Sequence, residues 1–281
     1  TRADAPAMSD STGITLNYGA LGAACDEVAE ILIANGVQSG DRVLLLSENC
    51  IAAVAVLFAA WKIGACVVPV NARQTGAEVA RVIEHCEPSI VIMTTSVSTD
   101  AQHHAVRLNG VEVTGSYGSM YVTASVGGPS ELAGDVAVLL YTTGTTGDPK
   151  GVMLTHGNVR FGGLTSANLR DMTHADVVYG VLPTTHVFGL CSVVVAAVYA
   201  GAPVLLAPRF EVAKVYAALR AGVTLFSGVP QMHALLMQYT KEQGFKALGS
   251  KTLRYVSSGA APLDPTWKRE AEAFYGVALQ N

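Results

Sequence analysis

The residues with the clearest chemical potential lie in one run, Tyr141-Thr142-Thr143-Gly144-Thr145-Thr146-Gly147-Asp148-Pro149-Lys150-Gly151. Three glycines, four threonines and one lysine share eleven residues, directly after the apolar stretch 136–140. Glycine lets backbone N–H groups approach an anion closely. Threonine hydroxyls add donors that can turn toward phosphate oxygens, and Lys150 adds a compact positive charge. This chemistry suits a polyphosphate. The run does not fit G-x-x-x-x-G-K-[ST], because Pro149 stands where the second glycine would be. A surface turn is the plainer alternative, since Gly, Thr, Asp and Pro all favour turns. A simple turn has no need of so many hydroxyls beside a lysine.

The elements that must position this run are short apolar strands alternating with helices. Strands are expected at 42–47, 65–70, 89–93, 136–142, 177–182, 203–206, 223–226 and 253–257. Helices are expected at 18–35, 49–63, 156–170, 188–200, 211–221, 230–243 and 264–275, and Thr75 with Glu78 reads as a capping box opening another. Such alternation implies an α/β fold with largely parallel sheet and helices on both faces. Residues 96–134 are more polar and less periodic, and are expected to form a variable connection. His103 and His104 have no cysteine or carboxylate cluster to complete a metal site and read as solvated loop. Residues 259–262 follow a strand, where open α/β folds present ligand sites; the simpler reading is a strand–turn–helix joint capped by Asp264.

Composition narrows the classes. Half of the 281 residues are hydrophobic, 14% are charged and the net charge is −4. There is no broad basic surface for nucleic acid or anionic membrane. The five cysteines are scattered, odd in number and without a C-x-x-C pair, which points to a reducing cytoplasm and to small core residues. The uncharged stretch 187–207 is long enough to span a membrane. Gly201-Ala202-Pro203 splits it, so a buried helix followed by a short strand is expected, with no membrane span.

The glycine–threonine run, continued through Thr155, His156 and Asn158, resembles the signature of the adenylate-forming (AMP-binding) superfamily, which includes acyl- and aryl-CoA synthetases, fatty-acid–CoA ligases and peptide-synthetase adenylation domains. Thr143 replaces the commoner serine and keeps its hydroxyl. Four further segments resemble that family in order: residues 57–71, residues 182–190 (with Pro183, His186, Phe188 and Gly189), Phe226-Ser227-Gly228-Val229-Pro230, and Ser257-Ser258-Gly259-Ala260-Ala261-Pro262-Leu263. Ala260 departs from the pattern by replacing a glycine.

The resemblance implies a large N-terminal domain with two mainly parallel sheets sandwiched between helices, the first segment joining the second sheet. We divide the chain loosely into 1–175, an N-terminal subdomain with the phosphate loop, and 176–281, a second α/β subdomain. It also implies site residues. Thr142, Thr143, Gly144, Thr145, Thr146, Gly147 and Lys150 would wrap the ATP triphosphate, with Thr145 touching Mg2+. Gly259, Ala260, Ala261 and Pro262 would face adenine. His186 and Phe188 would stand at the mouth of the acyl pocket, and Gly228, Val229 and Pro230 would form its wall. Lys150 and His186 are the candidate catalytic residues, Lys150 by neutralising phosphate charge.

The implied reaction is activation of a fatty or aromatic acid by ATP and transfer to CoA. Loading of a carrier protein, or nucleotide or acyl binding without turnover, are the alternatives. The family's G-Y-G-x-T-E segment and small C-terminal domain have no counterpart in this sequence, so the chain is expected to be a fragment, inactive alone.

Overall fold

The computed structural model describes residues 2–123, 135–142 and 150–281, with the side chain of Thr142 excepted. Two seven-stranded sheets organise them. The first contains β3 (Arg42–Ser47), β4 (Cys66–Asn71), β5 (Ile90–Met93), β6 (Val111–Gly115), β7 (Gly118–Val122), β8 (Val136–Thr142) and β9 (Lys150–Thr155), in the order β6-β7-β5-β3-β4-β8-β9. The second contains β1 (Pro6–Ser9), β2 (Thr15–Asn17), β10 (Val178–Gly180), β11 (Val204–Leu206), β12 (Leu225–Gly228), β13 (Tyr255–Ser258) and β14 (Leu279–Gln280), in the order β14-β13-β12-β10-β11-β1-β2.

The helices are α1 (Tyr18–Ala34), α2 (Ile51–Lys62), α3 (Gly76–Cys86), α4 (Thr99–Arg107), α5 (His156–Leu169), α6 (Val187–Gly189), α7 (Ala196–Ala200), α8 (Val212–Arg220), α9 (Pro230–Glu242) and α10 (Pro265–Tyr275). A π-helical turn, Leu190–Val195, joins α6 to α7.

The centre of each sheet is parallel, as β3–β4, β3–β5, β10–β11, β10–β12 and β12–β13 show. Their strands are fully buried apolar runs such as Val43–Leu46, because helices cover both faces. Antiparallel partners sit at the edges: β9 on β8, β6 and β7 beyond β5, and β2 on β1. Strands β1 and β2 come from the far end of the chain and join β11 of the second sheet. Helix α2 is apolar on nearly every face and buried, its residues from Ile51 to Leu57 at most 1% exposed, so it forms a central layer.

Local signals in the sequence act as expected at the helix starts. Thr75 and Glu78 form a reciprocal capping box on α3. Thr155 and Asn158 do the same on α5, which fixes His156 at its first turn. Asp264 accepts from the N–H groups of Thr266 and Trp267, both at 2.9 Å, and starts α10. The 187–207 stretch divides into α6, the π turn, α7 and β11, and among the described residues no helix is long and apolar enough to cross a membrane. All five cysteines are buried and free.

Three expectations need correction. The connection at 96–134 is structured over its described part, as α4, β6 and β7. His104 is not solvated loop: it lies in α4, 6% exposed, and its Nε2 donates to Ala72 O and Gln74 O, both at 3.0 Å. A short polar helix anchored by one buried imidazole has too little apolar periodicity to stand out. Lys150 is the first residue of β9 rather than part of a loop, because residues 150–155 pair antiparallel with β8.

Candidate functional site

The second sheet presents the carboxyl ends of parallel strands β10, β12 and β13 together. Ligands of open α/β folds bind in the crevice outside such ends. Two turns converge there, one carrying His186 after β10 and one carrying Gly259 and Ala260 after β13.

The His186 turn is built by close backbone approach. His186 N–H donates to Pro183 O at 3.1 Å, and Leu190 N–H donates to His186 O at 2.9 Å. A Cβ on Gly189 would lie 2.1 Å from Pro183 O and 2.5 Å from Leu182 O, so only glycine fits. His186 caps α6: its Nδ1 accepts from Phe188 N–H at 3.2 Å. An accepting Nδ1 leaves the proton of the neutral ring on Nε2, which is then free to donate to a ligand oxygen. The ring is exposed.

Asn49, between β3 and α2, holds this turn from the side of the first sheet. It is 2% exposed. Its Nδ2 donates to Gly180 O at 3.0 Å and Leu182 O at 2.9 Å, and its Oδ1 accepts from Thr184 N–H at 2.9 Å. Beside it, Glu48 receives both Arg209 Nε and Nη2, at 2.8 and 2.9 Å, a fork geometry that joins the end of β3 to the segment after β11. These bonds tie the segment between β3 and α2 to the segments after β10 and β11, beside the His186 turn.

The Gly259 turn is positioned from below and from the side. Gly259 N–H donates to Gly228 O at 3.0 Å. Asn281 Nδ2 donates to Ser258 O at 2.9 Å. Ala260 has φ +68°, the left-handed region that glycine occupies without strain. Phe188 closes the gap between the two turns: a Cβ on Gly259 would come within 2.5 Å of its Cε1.

Under the turns, Ser227 Oγ and Ser257 Oγ are 2.8 Å apart across β12 and β13. His233 on α9 is fully buried, its Nε2 donating to Ser257 O at 3.2 Å and its Nδ1 accepting from Tyr275 O–H at 2.7 Å. Burial pushes the His233 imidazole down to about 4, so it stays neutral and structural at pH 7.

The two turns bound a cleft of ≈ 380 Å³ lined by His186, Phe188, Gly259 and Ala260, with Arg170 and Tyr255 among its other walls. The structure thus brings together His186, Phe188, Gly259 and Ala260 from two separate sequence motifs. Ala261 and Pro262 continue the same turn and are exposed. Gly228 lies behind Gly259 at the buried end of β12, where a Cβ would meet His233 Nε2 at 3.0 Å. Val229 and Pro230 form the N-cap and first turn of α9 and are not among the residues lining this cleft. Lys150 is exposed at the start of β9.

Thr143, Gly144, Thr145, Thr146 and Gly147 lie outside the described residues, as does the side chain of Thr142. Among the described residues no group of three or more His, Cys, Asp or Glu could hold a metal ion, so these residues alone do not constitute a magnesium site.

Sequence reasoning missed Asn49, Arg170, Tyr255 and Asn281. Each acts mainly through main-chain carbonyls, ring faces or distant segments, which leave no spacing signature. The sole cue for Asn49 was a polar residue between an apolar strand and an apolar helix.

Comparison with known proteins agrees with this architecture. The chain is 32% identical to 4-coumarate–CoA ligase 2 of Oryza sativa subsp. japonica, over 92% of this chain and 50% of that protein. It is 27% identical to the long-chain-fatty-acid–CoA ligase FadD13 of Mycobacterium tuberculosis, over 91% of this chain and 52% of that protein. It therefore spans about half the length of these curated relatives. Among solved structures, ATP-bound MatB from Rhodopseudomonas palustris superposes with a TM-score of 0.79 at 30% identity, covering 99% of this chain and 56% of that one. The N-terminal domain of FACL13 from M. tuberculosis, at 24% identity and a TM-score of 0.78, shares the fold. With the AMP-binding enzyme model matching residues 1–281 throughout, and with this pair of turns at the strand ends, the chain belongs to the AMP-binding enzyme family.

Proposed function

We propose that the full-length protein is an acid–thiol ligase that activates a carboxylic acid with ATP and passes the acyl group to CoA. A carboxylate oxygen attacks the α-phosphorus, pyrophosphate leaves, and an acyl-adenylate forms. The CoA sulfur then attacks the acyl carbonyl, and AMP leaves. The observation that carries this reading is the meeting of the His186–Phe188 and Gly259–Ala260 turns over one cleft at the strand ends.

In this reading Gly259, Ala260, Ala261 and Pro262 offer backbone and small side chains to adenine. His186 Nε2–H orients an oxygen of the acid or adenylate. Gly228, Val229 and Pro230 back the acyl side. The 142–150 run, with Thr142 to Gly147 and Lys150, grips the phosphates, and Lys150 stabilises charge on departing pyrophosphate, the kind of preorganised electrostatics that contributes most to catalysis. Thr145 is the proposed contact to Mg2+, whose chemistry when bound is to neutralise phosphate charge.

The test is ATP–pyrophosphate exchange on the full-length protein. Lys150→Ala lowers exchange at limiting ATP by tenfold or more while the melting temperature stays put, since Lys150 is exposed. His186→Ala raises the apparent constant for the acid more than that for ATP. Unchanged exchange in Lys150→Ala, or a defect confined to ATP in His186→Ala, refutes these assignments.

A further inference from the structure

We propose that Arg170 makes the cleft selective for acids that carry a second, distal carboxylate. This inference rests on the acid-activating reading above and names its substrate class.

Arg170 follows α5 and is 7% exposed. It lines the same cleft as His186 and Gly259. Its Nη1 donates to Ser192 O in the π turn, and its guanidinium lies over the Tyr255 ring, 5.4 Å from the centroid. Among the described residues no carboxylate lies within ion-pair distance of it, whereas the nearby Arg254 is paired with Asp176 at 2.7 Å. A buried guanidinium without a counter-charge is costly to keep. Burial pulls its pKa below the ordinary arginine value. A guanidinium has five N–H donors, of which the Ser192 carbonyl and the Tyr255 hydroxyl engage two. A ligand carboxylate would supply the missing charge in bidentate fashion.

Ser258 adds an independent observation. It is 2% exposed, lines the cleft, and its Oγ is buried without a hydrogen-bond partner. The cleft thus holds a cation with no carboxylate partner among the described residues and a buried hydroxyl with no hydrogen-bond partner, and none of its lining residues is acidic. An all-hydrocarbon tail would leave both unsatisfied, a penalty that strongly disfavours a ligand lacking the matching group.

Arg170 and His186 are walls of the same cleft. One carboxylate can sit at the His186 wall, where the reacting acid is placed, while the other meets Arg170.

The experiment compares adipate and suberate with hexanoate and octanoate on the full-length protein. Binding is read by calorimetry and activation by ATP–pyrophosphate exchange. The wild type is expected to bind each dicarboxylate at least tenfold more tightly than the monocarboxylate of equal length. Arg170→Gln abolishes that ratio, Arg170→Lys retains part of it, and Ser258→Ala weakens only the dicarboxylates. A wild-type ratio near one overturns the proposal, whether or not the Arg170 variants fold. So does a ratio unchanged in a folded Arg170→Gln protein. Exchange with monocarboxylates but no dicarboxylate preference defeats this inference and leaves the acid-activating reading standing. Arg170-dependent dicarboxylate binding without exchange from any acid does the reverse.

Discussion

Asn49→Ala should destabilise the protein by about 4 kcal/mol and should disorganise the turn that carries His186. The side chain makes three buried hydrogen bonds, to Gly180 O, Leu182 O and Thr184 N–H. Gly180 O also accepts from Ala207 N–H at 3.0 Å, so it keeps a partner after the substitution. Leu182 and Thr184 are 4% and 1% exposed, so water does not readily replace what is lost. Two backbone groups are therefore stranded, at about 1–3 kcal/mol each. The sum, about 2–6 kcal/mol, is a large share of the 5–15 kcal/mol by which domains are typically stable.

Asn49→Asp sharpens the test. Its Oδ1 can still accept from Thr184, but the second oxygen faces two carbonyl oxygens. That repulsion raises the folded-state pKa of the introduced carboxyl above its unfolded value of about 3.9. The penalty therefore grows as pH rises through that window and is smallest where the carboxyl stays protonated and can donate. Urea unfolding followed by tryptophan fluorescence, at pH 5 and pH 8, measures both effects. A loss under about 1 kcal/mol for Asn49→Ala, or an Asn49→Asp protein as stable as the wild type at pH 8, refutes the role assigned to this amide.

Two further predictions concern the supports of the site. His233 has its folded pKa depressed to about 4 by burial, against about 6.5 when unfolded. Its contribution is intact above pH 6.5 and is lost as pH falls toward 4, on the order of 3 kcal/mol in all; a His233→Gln protein should show a flatter stability profile over that window in urea titrations, and an unchanged slope counts against the assignment. Gly189→Ala places a methyl 2.1 Å from Pro183 O, against rigid backbone, so a cost of about 3 kcal/mol or more is expected; a melting temperature equal to wild type would show that the turn is looser than described.

What the sequence determined by itself was local. Caps at Thr75 and Asp264 were legible because donor and acceptor lie within three residues of each other. The central parallel strands were legible because burial on both faces demands unbroken apolar runs. The break at Gly201-Ala202-Pro203 was legible because Gly201 takes up a left-handed φ of +71° at the helix end.

Tertiary structure decided the rest. Strand β9 carries a weak pattern, its residues exposed or half-buried, and became a strand through pairing with β8. Strands β1 and β2 joined a sheet whose next strand, β11, begins nearly two hundred residues later, with Met8 in register with Val204. Asn49 reaches Leu182 across a separation of 133 residues, and its partners are backbone atoms that every residue type possesses. Arg170 is uninformative in sequence, since a basic residue at a helix end ordinarily means a solvated terminus. Only the packing of α5 against the π turn turned it inward, beside Ser192 and Tyr255, and made it a wall of the cleft.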